Sequence, residues 1–162
     1  MHHEHITNSE KIIIGWEEWC DLKKLNIPAI KAKIDTGAKT SALHAFDIHP
    51  FHRLGKHFVH FKVYPLQRST KYYCVCTAPL IDYRRVMNSG GHQEMRYVIT
   101  TPLTLGVQTW DIQISLTDRS PLAFRMLLGR EALRGHVIID PNKSLQQRKI
   151  SKVELRQLYP SR

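Results

Sequence analysis

Apolar and polar side chains alternate along this chain mostly with a period of two. In residues 110–116, Trp110, Ile112, Ile114 and Leu116 are interleaved with Asp111, Gln113 and Ser115. That pattern predicts a strand with one buried face. "HFVHFKVY" sets Val59, Phe61 and Val63 against His60 and Lys62, and "AIKAKI" sets Ile30, Ala32 and Ile34 against Lys31 and Lys33. "KIIIGW", "KYYCVCT", "RYVIT", "RMLLG" and "HVIID" are further short strand candidates. Pro28, Pro65, Pro79, Pro102, Pro121 and Pro141 are read as punctuation between these runs, where a missing N–H breaks no ladder. Many short strands separated by turn signals predict a mainly β barrel or sandwich. Helix is confined to one or two short segments, "REALRG" after Gly129 and "SKVELRQLY" near the C-terminus.

A length of 162 residues is that of one domain with a real core. No linker-like stretch divides it, so residues 11–162 are expected to form a single domain behind a flexible polar arm, residues 1–10. The arm, "MHHEHITNSE", lacks the apolar stretch of a signal peptide, and no run elsewhere is long enough for a membrane span. A cytoplasmic location without membrane attachment is the expectation. Three cysteines make no disulfide framework, and Cys74 and Cys76 share one strand face, so reduced structural thiols are expected. The formal net charge of +10 favours anionic partners. The charge is scattered rather than clustered in a basic tail, which weakens a nucleic-acid reading.

The chemistry centres on "KIDTGAKTSALHA", residues 33–45. Asp-Thr-Gly alone is most simply an Asx-type turn. Here an apolar strand precedes it, Ala38 follows it, and "LLGR" recurs at residues 127–130. There is also a faint internal echo. "KIDTGAKTSAL" and "RMLLGREAL" both run from apolar strand through a glycine turn to a small-residue or helical segment ending in Ala-Leu.

Together these features resemble the retropepsin-like aspartic proteases. The fuller runs "IKAKIDTGAKTSALHA" and "FRMLLGREAL" resemble the bacterial single-domain branch labelled ATP-dependent zinc proteases, over roughly Ile13 to Pro141. The residues do not support that label's cofactors. No His-Glu-x-x-His places two imidazoles one helical turn apart, and no Gly-rich loop ends in Gly-Lys-Ser/Thr. No metal and no cofactor are expected.

The resemblance implies an all-β, single-lobe retropepsin-like barrel with Asp35, Thr36 and Gly37 as the catalytic loop. Aspartic proteases use two carboxylates sharing one proton. Asp111, Asp118 and Asp140 do not begin a second Asp-Thr-Gly, so a working site needs a homodimer with one Asp35 from each chain. "YRRVMNSGGHQEMRYVI" carries a glycine-rich turn, Asn88, Ser89, Gly90 and Gly91, at the place of the retropepsin flap. An ordinary surface hairpin is the competing reading. Viral-type relatives commonly carry an acid where this chain has Lys39, paired with the Arg after the second motif's glycine, here Arg130. Two cations do not pair, so either another acid lies between them or they present charge to the cleft.

Ala38, Lys39, Arg130, Arg84, Arg85 and Arg96 are therefore the expected substrate contacts, and His44 is expected to be a structural hydrogen-bonding residue. The expected activity is hydrolysis of peptide or amide bonds, with acidic, glutamate-rich peptides as substrates. The family's occurrence beside ATP-grasp peptide ligases implies amino-acid tails as targets. A catalytically silent aspartic-protease fold that binds an anionic partner is the alternative, and nucleic-acid binding a weaker third.

Overall fold

A computed structural model describes residues 11–88, 90–118 and 123–160. The expected arm, residues 1–10, lies outside the described residues, as do Ser89, residues 119–122 with Pro121, and residues 161–162. The elements run β1 Ile12–Ile14, β2 Glu17–Leu22, a 3₁₀ turn Lys23–Leu25, β3 Ile27–Ile34, β4 Ser41–His44, β5 Phe46–Arg53, β6 Lys56–Val63 and β7 Cys74–Met87. They continue as β8 Gln93–Leu105, β9 Gln108–Thr117, β10 Met126–Leu128, α1 Arg130–Leu133, β11 Val137–Ile139 and α2 Lys152–Leu158.

Six strands close on themselves in the order β2-β3-β10-β4-β9-β8, with Asp21 of β2 pairing back to Thr104 of β8. The ring is mixed. β10 lies parallel to β3 and antiparallel to β4, and β4 is parallel to β9. The described residues are thus mainly β, a barrel with two short helices, as the sequence pattern predicts. The sheet extends beyond the ring through β7, β6 and β5. β7 makes that extension by changing partners: residues 74–79 pair with β6, and residues 80–87 with β8.

The alternating residues sort as expected. Ile30, Ala32, Val59, Phe61, Val63, Ile112, Ile114 and Leu116 are buried. Cys20, Cys74 and Cys76 are free, buried thiols, and the Cys76 Sγ donates to the Leu25 carbonyl at 3.0 Å. Burial pushes the Cys74 thiol up to about 11 and the other two higher still, so none is a ready nucleophile.

Three prolines depart from the reading as punctuation: Pro28, Pro79 and Pro102 lie inside β3, β7 and β8. Each occupies a place where the ladder is incomplete. Pro79 is the last β7 residue paired with β6, just before the partner change. Pro102 lies between the last β7 partner, at Ile99, and the single β2 partner, at Thr104. Pro28 sits where the β2–β3 register shifts. Beside it, Ala29 is served by a side chain instead: the Tyr159 hydroxyl accepts from the Ala29 N–H at 3.0 Å and donates to its carbonyl at 2.6 Å. The echo also fails in its last part, because "SALH" is strand β4 whereas "REAL" is helix α1.

The C-terminal segment returns to the barrel by a buried carboxylate. Glu18 is fully buried and accepts from the backbone N–H groups of Gly15 at 2.7 Å, Gln146 at 2.9 Å and Gln147 at 3.0 Å. Gly15 must be glycine because a Cβ there would lie 2.1 Å from the Lys143 carbonyl oxygen. Glu18→Ala leaves three N–H groups without acceptors, each worth about 1–3 kcal/mol if it stays buried. A loss of at least about 3 kcal/mol in urea unfolding is expected; a loss below about 1 kcal/mol would show that the carboxylate is dispensable.

Candidate active site

β10 lies between β3 and β4, so the chain leaving β3 must cross over the end of β10 to reach β4. Residues 35–40 make that crossing, and they contain the Asp-Thr-Gly triplet. The crossing is close. A Cβ on Gly129 would lie 2.8 Å from the Ala38 carbonyl oxygen and 2.8 Å from the Thr40 carbonyl carbon, both backbone atoms. The two distant motifs thus touch, and the glycine of the second exists to let the first pass.

The loop is held from several sides. The Asp35 N–H donates to the Leu128 carbonyl at 2.9 Å, and the Arg130 N–H donates to the Ala38 carbonyl at 2.7 Å. The Glu131 N–H reaches the Lys39 carbonyl at 3.1 Å. Beneath, the Gly129 N–H donates to the Ser41 Oγ at 3.0 Å, and the Ser115 Oγ donates to the Ser41 carbonyl at 3.0 Å. Ser41 and Ser115 are buried, so these bonds are made out of water and are costly to leave unmade.

Asp35 itself is half-buried. Its Oδ1 accepts from the Gly37 N–H at 3.0 Å. That is an Asx-type bond, so the turn reading and the catalytic reading describe the same geometry. Oδ2 has no hydrogen-bond partner among the described residues. One oxygen sets the carboxylate's orientation while the other is left for a reacting group or a second carboxylate.

Arg130 answers the question raised by Lys39. Its guanidinium Nη1 donates to the Thr36 carbonyl at 3.0 Å, so it clamps the triplet's backbone. No carboxylate bridges it to Lys39 among the described residues. Lys39 is exposed and forms no ion pair there. Asp35, Thr36, Gly37, Ala38, Lys39 and Arg130 therefore come together at one site.

The hairpin arginines divide differently. Arg96 is 9% exposed, and its guanidinium is bound to Glu94, with a further bond to the Ser115 Oγ at 3.4 Å. Its charge is neutralised inside the sheet. Arg84, directly opposite it, donates to the Gln113 Oε1 at 3.0 Å and lies 3.7 Å from Asp82. Only Arg85 is exposed without an ion pair among the described residues. No hydrogen bond or ion pair joins the three arginines to residues 35–39 there. At the tip, the Asn88 Oδ1 accepts from the N–H groups of Gly90 at 2.9 Å and His92 at 3.2 Å, and Gly91 has φ +82°. Ser89, named with this turn, is outside the described residues.

Sequence reasoning missed Arg125. It is 8% exposed, donates to the carbonyls of Leu66 at 3.2 Å and Ser69 at 3.1 Å, and covers the Tyr64 ring. Desolvation, and then the Arg125 charge, lower the His44 pKa. The His44 Nδ1 is buried with no partner among the described residues, so its expected hydrogen-bonding role is not seen for that atom. No group of three or more His, Cys, Asp and Glu side chains is placed to hold a metal ion among the described residues.

A single-lobe barrel with Asp-Thr-Gly in the crossing over a glycine-bearing strand defines the retropepsin-like class. The profile described as RimB-like, retropepsin-like aspartic endopeptidase RimB, matches residues 13–150. The chain belongs to that family. Among curated proteins it is similar to a probable alpha-L-glutamate ligase of Desulfotalea psychrophila, 47% identical over 149 residues, covering 92% of this chain and 32% of that protein. A probable alpha-L-glutamate ligase of Shewanella halifaxensis is 43% identical over 152 residues, covering 94% of this chain and 33% of that protein. The chain thus spans about a third of the length of these relatives. Among solved structures it is similar to Lpg0085 of Legionella pneumophila, a protein described as of unknown function. That match has a TM-score of 0.69 and 25% identity, and covers 85% of this chain and 98% of that one.

Gly129→Ala should leave the barrel folded but push residues 38–40 off β10 and displace Asp35. Peptidase activity is expected to fall by at least about 100-fold, as misplacements near 1 Å do, with little change in far-ultraviolet circular dichroism. Near-normal activity would show that the close crossing does not position the acid.

Proposed function

We propose that this chain works as a homodimeric aspartic peptidase that hydrolyses peptide or amide bonds in acidic, glutamate-rich peptides. The observation that carries this reading is the single Asp-Thr-Gly loop, whose carboxylate has one oxygen fixed by Gly37 and the other without a partner among the described residues. Two such carboxylates brought to hydrogen-bonding distance hold one proton between them, because like charges there do not both ionise. The deprotonated member takes a proton from water as the water attacks the scissile carbonyl. The other member donates its proton to the carbonyl oxygen; the first then protonates the departing nitrogen while the second takes a hydroxyl proton back as the tetrahedral diol collapses to acid and amine.

Dimerisation is supported by the surface. Ile13 of β1 and Ile138 of β11 are paired in register and are 56% and 54% exposed. β1 and β11 form a separate two-stranded sheet, so this apolar pair sits on strands with free edges. Trp16, next to β1, is 42% exposed and its carbonyl accepts from the Ile34 N–H at 2.9 Å, one residue before Asp35. An apolar surface of this kind beside the catalytic loop suits a second copy.

The acidic substrate is supported by the net charge of +10 and by two exposed cations without ion pairs among the described residues, Lys39 beside the triplet and Arg85 on the hairpin. Arg84 and Arg96 add less, since both are engaged within the sheet. The name of the curated relatives points the same way, because a glutamate ligase makes the kind of bond that this peptidase would open. The hairpin from residue 84 to residue 98 is the candidate cover for the bound peptide.

Asp35→Asn should abolish hydrolysis without loss of fold, and the wild-type pH profile should be bell-shaped with limbs belonging to the pair. A folded Asp35→Asn protein that keeps its activity would refute the mechanism. Cleavage of an acidic peptide should slow as salt rises, since screening shortens exposed electrostatics to about 8 Å at physiological ionic strength. Lys39→Glu should lower kcat/KM for that peptide far more than for a neutral one. Equal kcat/KM for acidic and neutral peptides at low salt would remove the acidic-substrate reading.

A further inference from the structure

The segment joining β6 to β7 faces α2 across an open groove of about 250 Å³. None of residues 35–39, 129 or 130 lines it. Its apolar surface comes from Leu66, Tyr72, Leu155 and Tyr159. The Tyr72 and Tyr159 rings are 4.9 Å apart between centroids and tilted by 54°. Because the Tyr159 hydroxyl is spent on Ala29, that side chain offers the groove a ring and no free polar group. An apolar cavity of about 150 Å³ takes up benzene, so this groove is large enough for one big apolar side chain.

Cations surround this slot. Lys152 and Arg156 are exposed and lie one helical turn apart on α2, while Lys71 comes from the opposite wall. Like charges at this spacing destabilise a helix. The acid between them, Glu154, turns back to the Ser151 N–H at 3.4 Å in a capping box. Lys71, Lys152 and Arg156 make no ion pair among the described residues. Three uncompensated cations around an apolar slot are complementary to carboxylates flanking an apolar side chain.

We propose that this groove is an exosite for an acidic peptide segment bearing one large apolar residue, held apart from the scissile bond. Its place in substrate capture rests on the acidic-peptide reading above, but its binding chemistry does not depend on hydrolysis. Such a site would tether a substrate's neighbouring sequence and so raise the local concentration of the bond to be cut.

The test uses the full chain carrying Asp35→Asn, so that the probe stays intact, and fluorescence anisotropy of labelled Glu-Glu-Phe-Glu-Glu. K71A/K152A/R156A should bind roughly tenfold more weakly or worse. K24A/R53A/K56A, which removes the same charge elsewhere, should bind nearly as the parent does. Replacing the peptide's Phe by Gly should also weaken binding. Equal weakening by the two triple variants, or no weakening by the first, would overturn the proposal, as would equal binding of the Phe and Gly peptides. Circular dichroism of each variant checks that it is folded. Because the readout is binding with Asp35 already replaced, failure of the exosite and failure of the peptidase mechanism give different results.

Discussion

The backbone contact between residues 38–40 and Gly129 is the constraint on which the site depends. β3 and β4 are consecutive in the chain, yet β10 is inserted between them, parallel to one and antiparallel to the other. The connection must therefore pass over the end of β10, and it does so at a separation that leaves no room for a Cβ. Once that crossing is made, Leu128, Arg130 and Ser41 supply bonds that hold the loop, and Asp35 is carried on backbone fixed from both sides. The Asp35 carboxylate is placed by topology more than by contacts of its own.

Arg130 holds the loop without a carboxylate partner from position 39. Its guanidinium donates to the Thr36 carbonyl, and no carboxylate bridges it to Lys39 among the described residues. The loop still gains a charge-assisted clamp, which is stronger than a neutral hydrogen bond. Lys39, next to the triplet, is exposed and forms no ion pair among the described residues. The clamp on the loop thus needs no carboxylate at position 39.

Much of this was legible from period and motif. Residues 110–116 and 59–63 announce their buried faces through strict alternation, and "LLGR" announces the strand that the loop crosses. Other features were hidden for physical reasons. β5 contains Pro50 and four polar or charged residues, Asp47, His49, His52 and Arg53, and as the last strand of the extended sheet it needs little apolar patterning. β4 reads as a small-residue segment because its environment, between β10 and β9, is set by strands distant in sequence. Arg96 looked like a free cation because local sequence does not reveal that Glu94, two residues away on the same strand face, neutralises it. Arg125 and Glu18 were invisible for a related reason: apart from Gly15, their backbone partners lie 56 to 129 residues away.

The half-site is the central claim, and the relation between assembly and activity tests it most directly. Specific activity should be measured over a dilution series, with the dimer fraction at each concentration taken from sedimentation equilibrium. A chain that contributes one Asp35 to a shared pair predicts that specific activity follows the dimer fraction and vanishes with it. Full specific activity in a preparation that is monomeric at the assay concentration would contradict it.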